Sequence, residues 1–239
     1  KFASPLWRFP STVRSTAHKK NLFFLFYTNH ITTLLSAKST TKNNTGTYYH
    51  MSTSEKDTSK ITLIYFAGPG RAEVARLALH AGGVAFEDKR LSFEEFGGLK
   101  FNKEKRGPGQ MFGSLPVLLH GDFQLAQSQA ISLYAASLGL TPNLSHKERA
   151  IDQMYLGVHA DMQTAMYKCL FGTDESKAAG KKALPKRMQD LLSAVESKLP
   201  KSGFILGGKG PSVGDLALFD ACSSAFPGVV KLGIDLKPY

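Results

Sequence analysis

Cysteine is nearly absent: Cys169 and Cys222 are the only two in 239 residues. Two distant thiols make neither a disulfide framework nor the close pair of a redox or metal site. We therefore expect a reducing compartment and no metal. Long apolar runs are missing as well. The longest candidate, LFFLFY at 22–27, falls far short of the roughly 20 residues that span a bilayer, so no membrane partner is expected. Tryptophan occurs once, at Trp7, and tells nothing of a core. Acidic residues are absent from residues 1–50, which hold seven of the 30 Lys and Arg residues; the remaining 23 face all 19 acidic residues. The formal charge of +11 is thus mostly a property of the leader. Without a basic stripe interleaved with aromatics elsewhere, no nucleic-acid partner is expected.

That leader begins without Met, is rich in Ser and Thr, and precedes MSTSEKDTSK at 51–60, which reads like an ordinary N-terminus. A basic, acid-poor leader has the composition of an organellar transit peptide; a start at Met51 would instead make it translated untranslated message. We favour the second reading, expect residues 1–60 to be a disordered extension, and expect a cytoplasmic protein, organellar only if the leader is genuine.

From Ile61 the patterning changes. A β-branched run at 61–66 reads as a strand, a Gly-Pro-Gly turn follows, and Val74, Leu77, Ala78 and Ala81 form the stripe of a helix over about 71–82. A second strand is expected at about 85–91, then an irregular, Gly-rich, charged stretch through residue 114. LPVLLH and FQLA, separated by His120-Gly121-Asp122, read as a hairpin. A helix near Gln127 with Ile131, Tyr134 and Leu138 on one face ends this α/β unit, and Gly, Pro, Asn and Ser cluster in a linker at 139–148. Everything beyond reads as helix: about 146–171, begun by Ser145 and Glu148; about 184–199, where Pro185 is tolerable only in a first turn; and one begun by Ser212 and Asp215. The domains are thus 61–139, a linker at 140–145, and 146–239.

Several residues could carry chemistry, and each has a plain structural alternative. Tyr65 lies at the C-terminal end of its strand, where open α/β sheets place ligands, or it simply packs there. Gly68-Pro69-Gly70 lacks the third glycine of a nucleotide fingerprint, which disfavours a dinucleotide enzyme. Pro116 at a strand start leaves Leu115 free of the ladder; were that bond cis, the edge could pair with an extended peptide ligand. Ser128 opens a helix, where it either caps the backbone or faces a carboxylate. Asp161 reads most economically as a solvated charge.

Taken in order, these residues resemble the glutathione transferases, within them the sigma-like class. LIYFAGPGRAEVARLALHAGGVAFED, LSFEEFGGLK, GSLPVLLHGDFQLAQSQAISLYAASLGL and GKGPSVGDLALFD carry the likeness, which covers 61 to about 235. It implies a thioredoxin-like N-terminal domain followed by an all-helical C-terminal domain, and glutathione as co-substrate. Tyr65 would donate a hydrogen bond to the glutathione sulfur, a thiol with a pKa of about 8.5 that needs such a donor to ionise at neutral pH. Leu115 and a cis-Pro116 would bind the cysteinyl portion, and Gln127 and Ser128 the γ-glutamyl end. Lys100 would lie near the glycyl carboxylate, and Phe96 would stand where relatives often have tryptophan. Asp161 would reach the γ-glutamyl amine of a partner subunit, implying a homodimer. Arg71 would either tune the tyrosine or brace the turn by pairing with Glu73 or Asp161. Phe66, Met162, Met166 and Phe171 would form an apolar wall for a hydrophobic electrophile. Peroxidase, prostanoid isomerase and non-catalytic crystallin-like functions stay open as alternatives. The segment FNKEKRGPGQMFGS departs from the family's pattern, ending in Gly-Ser where relatives often have Gly-Gln. The chain also stops at GIDLKPY, which implies that the last helices are missing and that some apolar surface is exposed.

Overall fold

A computed structural model of the chain describes residues 59–223; the leader and the C-terminal segment considered above lie outside them. Strand β1, Ile61–Phe66, is followed by a 3-10 turn at Gly70–Ala72 and helix α1, Glu73–Gly82. Then come β2, Glu87–Leu91; α2, Phe93–Leu99; β3, Val117–His120; β4, Phe123–Ala126; and α3, Ser128–Ala135, continued by a π-helical turn at Ala136–Leu140. The helical unit consists of α4, His146–Leu170; α5, Asp174–Glu196; and α6, Val213–Cys222.

The sheet runs β2-β1-β3-β4. β1 pairs parallel with β2 and antiparallel with β3, and β3 and β4 form the expected antiparallel hairpin. This is a thioredoxin-like domain followed by helices. β1 alternates across the two faces of the sheet, yet it is buried almost throughout because it is a central strand. α1 buries Val74, Ala75, Ala78, Leu79 and Ala81 in the same apolar cluster as Leu63 and Leu118 of the sheet. One apolar cluster then runs on without a break into the helical unit, through Leu156, Met162, Leu184, Met188, Leu216 and Leu218.

Two elements differ from the sequence expectation. Residues 93–99 are helical rather than irregular: Ser92 Oγ accepts from the Glu95 N–H at 3.1 Å, while the Glu95 carboxylate accepts from the Ser92 N–H at 2.7 Å. That reciprocal cap offsets two poor helix formers, Gly97 and Gly98. α5 begins ten residues before the expected 184, and Pro185 lies inside it. An internal proline removes one backbone bond and costs about 3 kcal/mol in a free helix. Here Leu184, Met188, Leu192 and Val195 are all buried, each worth roughly 1.5–3 kcal/mol, so packing outweighs the break. Gly180 helps the two long helices approach: a Cβ there would stand 2.9 Å from the Lys168 carbonyl oxygen of α4.

Candidate active site

The strand register decides what meets at one end of the sheet. β1 pairs with β3 as far as Ile64↔Val117, and β3 with β4 as far as Val117↔Ala126. The next residue of each strand is Tyr65, Pro116 and Gln127. The three sequence features therefore converge because each lies one step beyond the same rung. The Leu115-Pro116 bond is cis, and β3 starts at Val117, so Leu115 precedes the ladder. Gln127 adopts a positive φ of 74° and makes no side-chain cap to α3. Ser128 is the first helical residue rather than the cap, which leaves the helix N-terminus facing this end of the sheet.

Tyr65 is buried, with 8% of its surface exposed. Its hydroxyl oxygen accepts a hydrogen bond from the Arg71 backbone N–H at 3.1 Å. The turn that supplies this donor is tight because Gly70 has φ +49°, and a Cβ on Gly70 would stand 2.7 Å from the Tyr65 hydroxyl. The turn is braced by Arg76, which is 4% exposed. Its guanidinium donates to the Gly68 and Pro69 carbonyls at 2.9 and 3.1 Å, to Glu73 at 2.9 Å and to Asp88 at 3.1 Å. It also lies 5.8 Å from the Tyr65 ring centre.

Arg71 takes a different part from the brace considered for it. Glu73 belongs to Arg76, and Asp161 lies 3.8 Å from Arg187, so neither acid pairs with Arg71. Its guanidinium instead sits over the Tyr167 ring, 5.0 Å from the centroid. One turn earlier on α4, the Gln163 side-chain amide donates to the Gly70 carbonyl at 3.2 Å. Arg76, Gln163 and Tyr167 were not read from the sequence. Arg76 had a visible signal, a lone cation on an otherwise apolar helix face; the α4 pair had only its spacing of four.

The remaining expected residues are more scattered. Lys100 is exposed, with Nζ 5.2 Å from the Phe101 ring. Phe96 packs edge-on against Phe66 at 5.2 Å, and Phe93 covers Phe66 at 4.7 Å. Asp161 has 63% of its side chain exposed. The expected apolar wall needs correction: Met162 and Met166 are 0% and 2% exposed and belong to the shared core, because α4 turns that stripe inward. Phe171 is 66% exposed and packs on Tyr167 at 5.9 Å. Cys222 is inert as a nucleophile, since burial first and Asp220 second push its thiol up to about 12.

A thioredoxin-like sheet whose open end carries a buried tyrosine, a cis-proline and a helix N-terminus, joined to a helical unit, defines the class. Residues 61–137 match the family model described as glutathione S-transferase, N-terminal domain. The chain is 31% identical to glutathione S-transferase P 2 of Bufo bufo over 183 residues, covering 71% of this chain and 83% of that relative. It is 32% identical to glutathione S-transferase 1 of Ascaris suum over 188 residues, covering 74% and 87%. Among solved structures, the sigma class GST of Fasciola hepatica superposes with a TM-score of 0.57 at 25% identity, over 74% of this chain and 82% of that one. The chain belongs to the glutathione S-transferases, enzymes whose co-substrate is glutathione.

Proposed function

We propose that this transferase is sigma-like, that Tyr65 ionises the glutathione thiol, and that the thiolate attacks a hydrophobic electrophile. The observation that carries this reading is the shared rung that brings Tyr65, Leu115-Pro116 and Gln127-Ser128 to one sheet end, with the Tyr65 oxygen already accepting from Arg71. A phenol can accept and donate at once, so its proton is free for the sulfur. A charge-assisted O–H to thiolate bond is about twice as strong as a neutral one, and each 1.36 kcal/mol or so lowers the thiol pKa by about one unit.

In this reading the thiol proton leaves to solvent, a carbon–sulfur bond forms, and with a chlorinated nitrobenzene the carbon–chlorine bond breaks to release chloride. Leu115 pairs through its backbone with the cysteinyl portion. Gln127 and Ser128 hold the γ-glutamyl carboxylate, which the dipole of α3 favours. Lys100 approaches the glycyl carboxylate beside Phe96. Asp161, exposed on α4, serves the γ-glutamyl amine of a second copy, so the working unit is a homodimer. Phe66 and Phe171, the exposed or half-buried members of the expected wall, receive the electrophile.

The test is turnover of a chlorinated nitrobenzene with glutathione by the full chain, together with ultraviolet titration of the bound thiolate. Tyr65→Phe should lower kcat roughly 100-fold and raise the titration midpoint. A folded wild type with no thiolate band and no turnover would overturn the proposal in favour of a non-catalytic binding protein.

A further inference from the structure

One peptide unit stands between the helical unit and the tyrosine. The Gly70–Arg71 bond is trans, so its carbonyl and its N–H lie in one rigid plane and point opposite ways. The N–H donates to the Tyr65 hydroxyl oxygen at 3.1 Å. The carbonyl, with its two lone pairs, accepts from the Glu73 N–H inside the 3-10 turn and, at 3.2 Å, from the side-chain amide of Gln163, 93 residues further along the chain. Arg76 holds the Gly68 and Pro69 carbonyls from within the first unit; the Gly70 carbonyl is reached from the second. Gln163 is 3% exposed and Tyr65 8%, so the run from amide to peptide to phenol is largely shielded from water.

We propose that Gln163 is a positioning residue for thiol activation: by holding the Gly70 carbonyl it aims and strengthens the Arg71 N–H on the Tyr65 oxygen, and so strengthens the hydrogen bond that Tyr65 gives to the glutathione sulfur. This rests on the reading of Tyr65 given above. Two effects act through the same plane. A donor that pins the carbonyl of a planar peptide also fixes where its N–H points. A hydrogen bond on the carbonyl also makes the N–H a stronger donor, since bonds in a chain polarise one another by about 10–30% each. A phenol whose oxygen accepts a stronger bond carries a more acidic proton, which favours a thiolate partner over a thiol. None of this needs charge on Gln163. The cations close by are Arg71, 5.0 Å from the Tyr167 ring centre, and Arg76, 5.8 Å from that of Tyr65, and a neutral substitution at 163 leaves both in place.

The experiment uses the full chain with saturating glutathione, reading the thiolate band and kcat against pH in wild type, Gln163→Met, Tyr65→Phe and the double variant. Gln163→Met keeps the length and neutrality of the side chain and removes its donor. The Glu73 N–H still satisfies the Gly70 carbonyl, so the fold should survive, which a urea midpoint checks. The titration midpoint of Gln163→Met should rise by about 0.3 unit and kcat below it fall about twofold, with KM for glutathione unchanged. In the Tyr65→Phe background the same substitution should add nothing, because the path ends on the Tyr65 oxygen. An unmoved titration midpoint in Gln163→Met, where Tyr65→Phe moves it, makes Gln163 a structural tie and overturns this proposal alone. A shift of equal size in both backgrounds overturns it too. Should Gln163→Met not fold, Gln163→Asn, an amide one methylene shorter, is read against the same outcomes; if neither folds, Gln163 is structural and the proposal falls. If Tyr65→Phe itself leaves the midpoint unmoved, the Tyr65 reading falls and takes this one with it.

Discussion

Two buried polar knots, one in each unit, are built from opposite charges. In the first, the cation Arg76 gathers acceptors: two carbonyls of the Gly-Pro-Gly turn and the carboxylates of Glu73 and Asp88. In the second, two carboxylates gather donors. Asp215 accepts from the Ser212 and Ile205 N–H groups and the Ser212 hydroxyl, and Asp152 accepts from the Gly214 N–H at 3.0 Å. In the first knot the cation and its carboxylates attract one another. The two carboxylates repel each other, so the second is sensitive to pH. The difference fits their duties: the first fixes the turn that supports Tyr65, and the second ties the start of α6 to α4 and to the loop at Ile205.

Breaking the first knot should have the largest effect. Arg76→Leu leaves two partly buried carboxylates and two carbonyls without their donor, at a cost of about 3 kcal/mol, read as a lower urea midpoint with an unchanged m-value. Gly70→Ala tests the same turn more gently. The new Cβ would crowd the Tyr65 hydroxyl at 2.7 Å on a backbone with φ +49°, so we expect about 1–2 kcal/mol of strain and, through the displaced phenol, a loss in kcat of about tenfold.

The second knot is sharpened by pH. Burial first, then the charge of Asp215, raise the Asp152 carboxyl above its ordinary value, against the hydrogen bond from the Gly214 N–H. A carboxyl with a raised folded pKa binds its proton more tightly in the native state. Its stabilising contribution is therefore full below the unfolded pKa and lost as pH rises through the folded one. Asp152→Asn keeps an oxygen for Gly214 and should flatten that fall when urea midpoints are measured across the carboxylate range and above it. Phe101→Ser, 76% exposed and outside both knots, should change stability by less than about 0.5 kcal/mol in the same assay.

The elements whose signals are local were legible. The strand at 61–66, the hairpin and the caps at Ser145 and Ser212 were read at nearly their true positions, because alternation, turn residues and capping pairs act over a few residues. α2 was missed although Ser92 and Glu95 carry the same kind of capping signal, since Gly97 and Gly98 mask the helical pattern. The early start of α5 was missed because the penalty at Pro185 is local, while the burial that overrides it comes from another helix.

For the site, the order of residues was enough to pick out Tyr65, Leu115-Pro116 and Gln127-Ser128, but not to bring them together. That needed the register of three strands, a long-range property which no one segment contains. The sequence by itself determined a glycine-rich turn after a strand-end tyrosine, since only certain residues accept such a backbone. Which arginine braces that turn, which one lies over Tyr167, and that a helix from the second unit should hold the Gly70 carbonyl were decided by tertiary packing alone. Those contacts join residues as far apart as Gly70 and Gln163, and their energies exist only once the two units share one core.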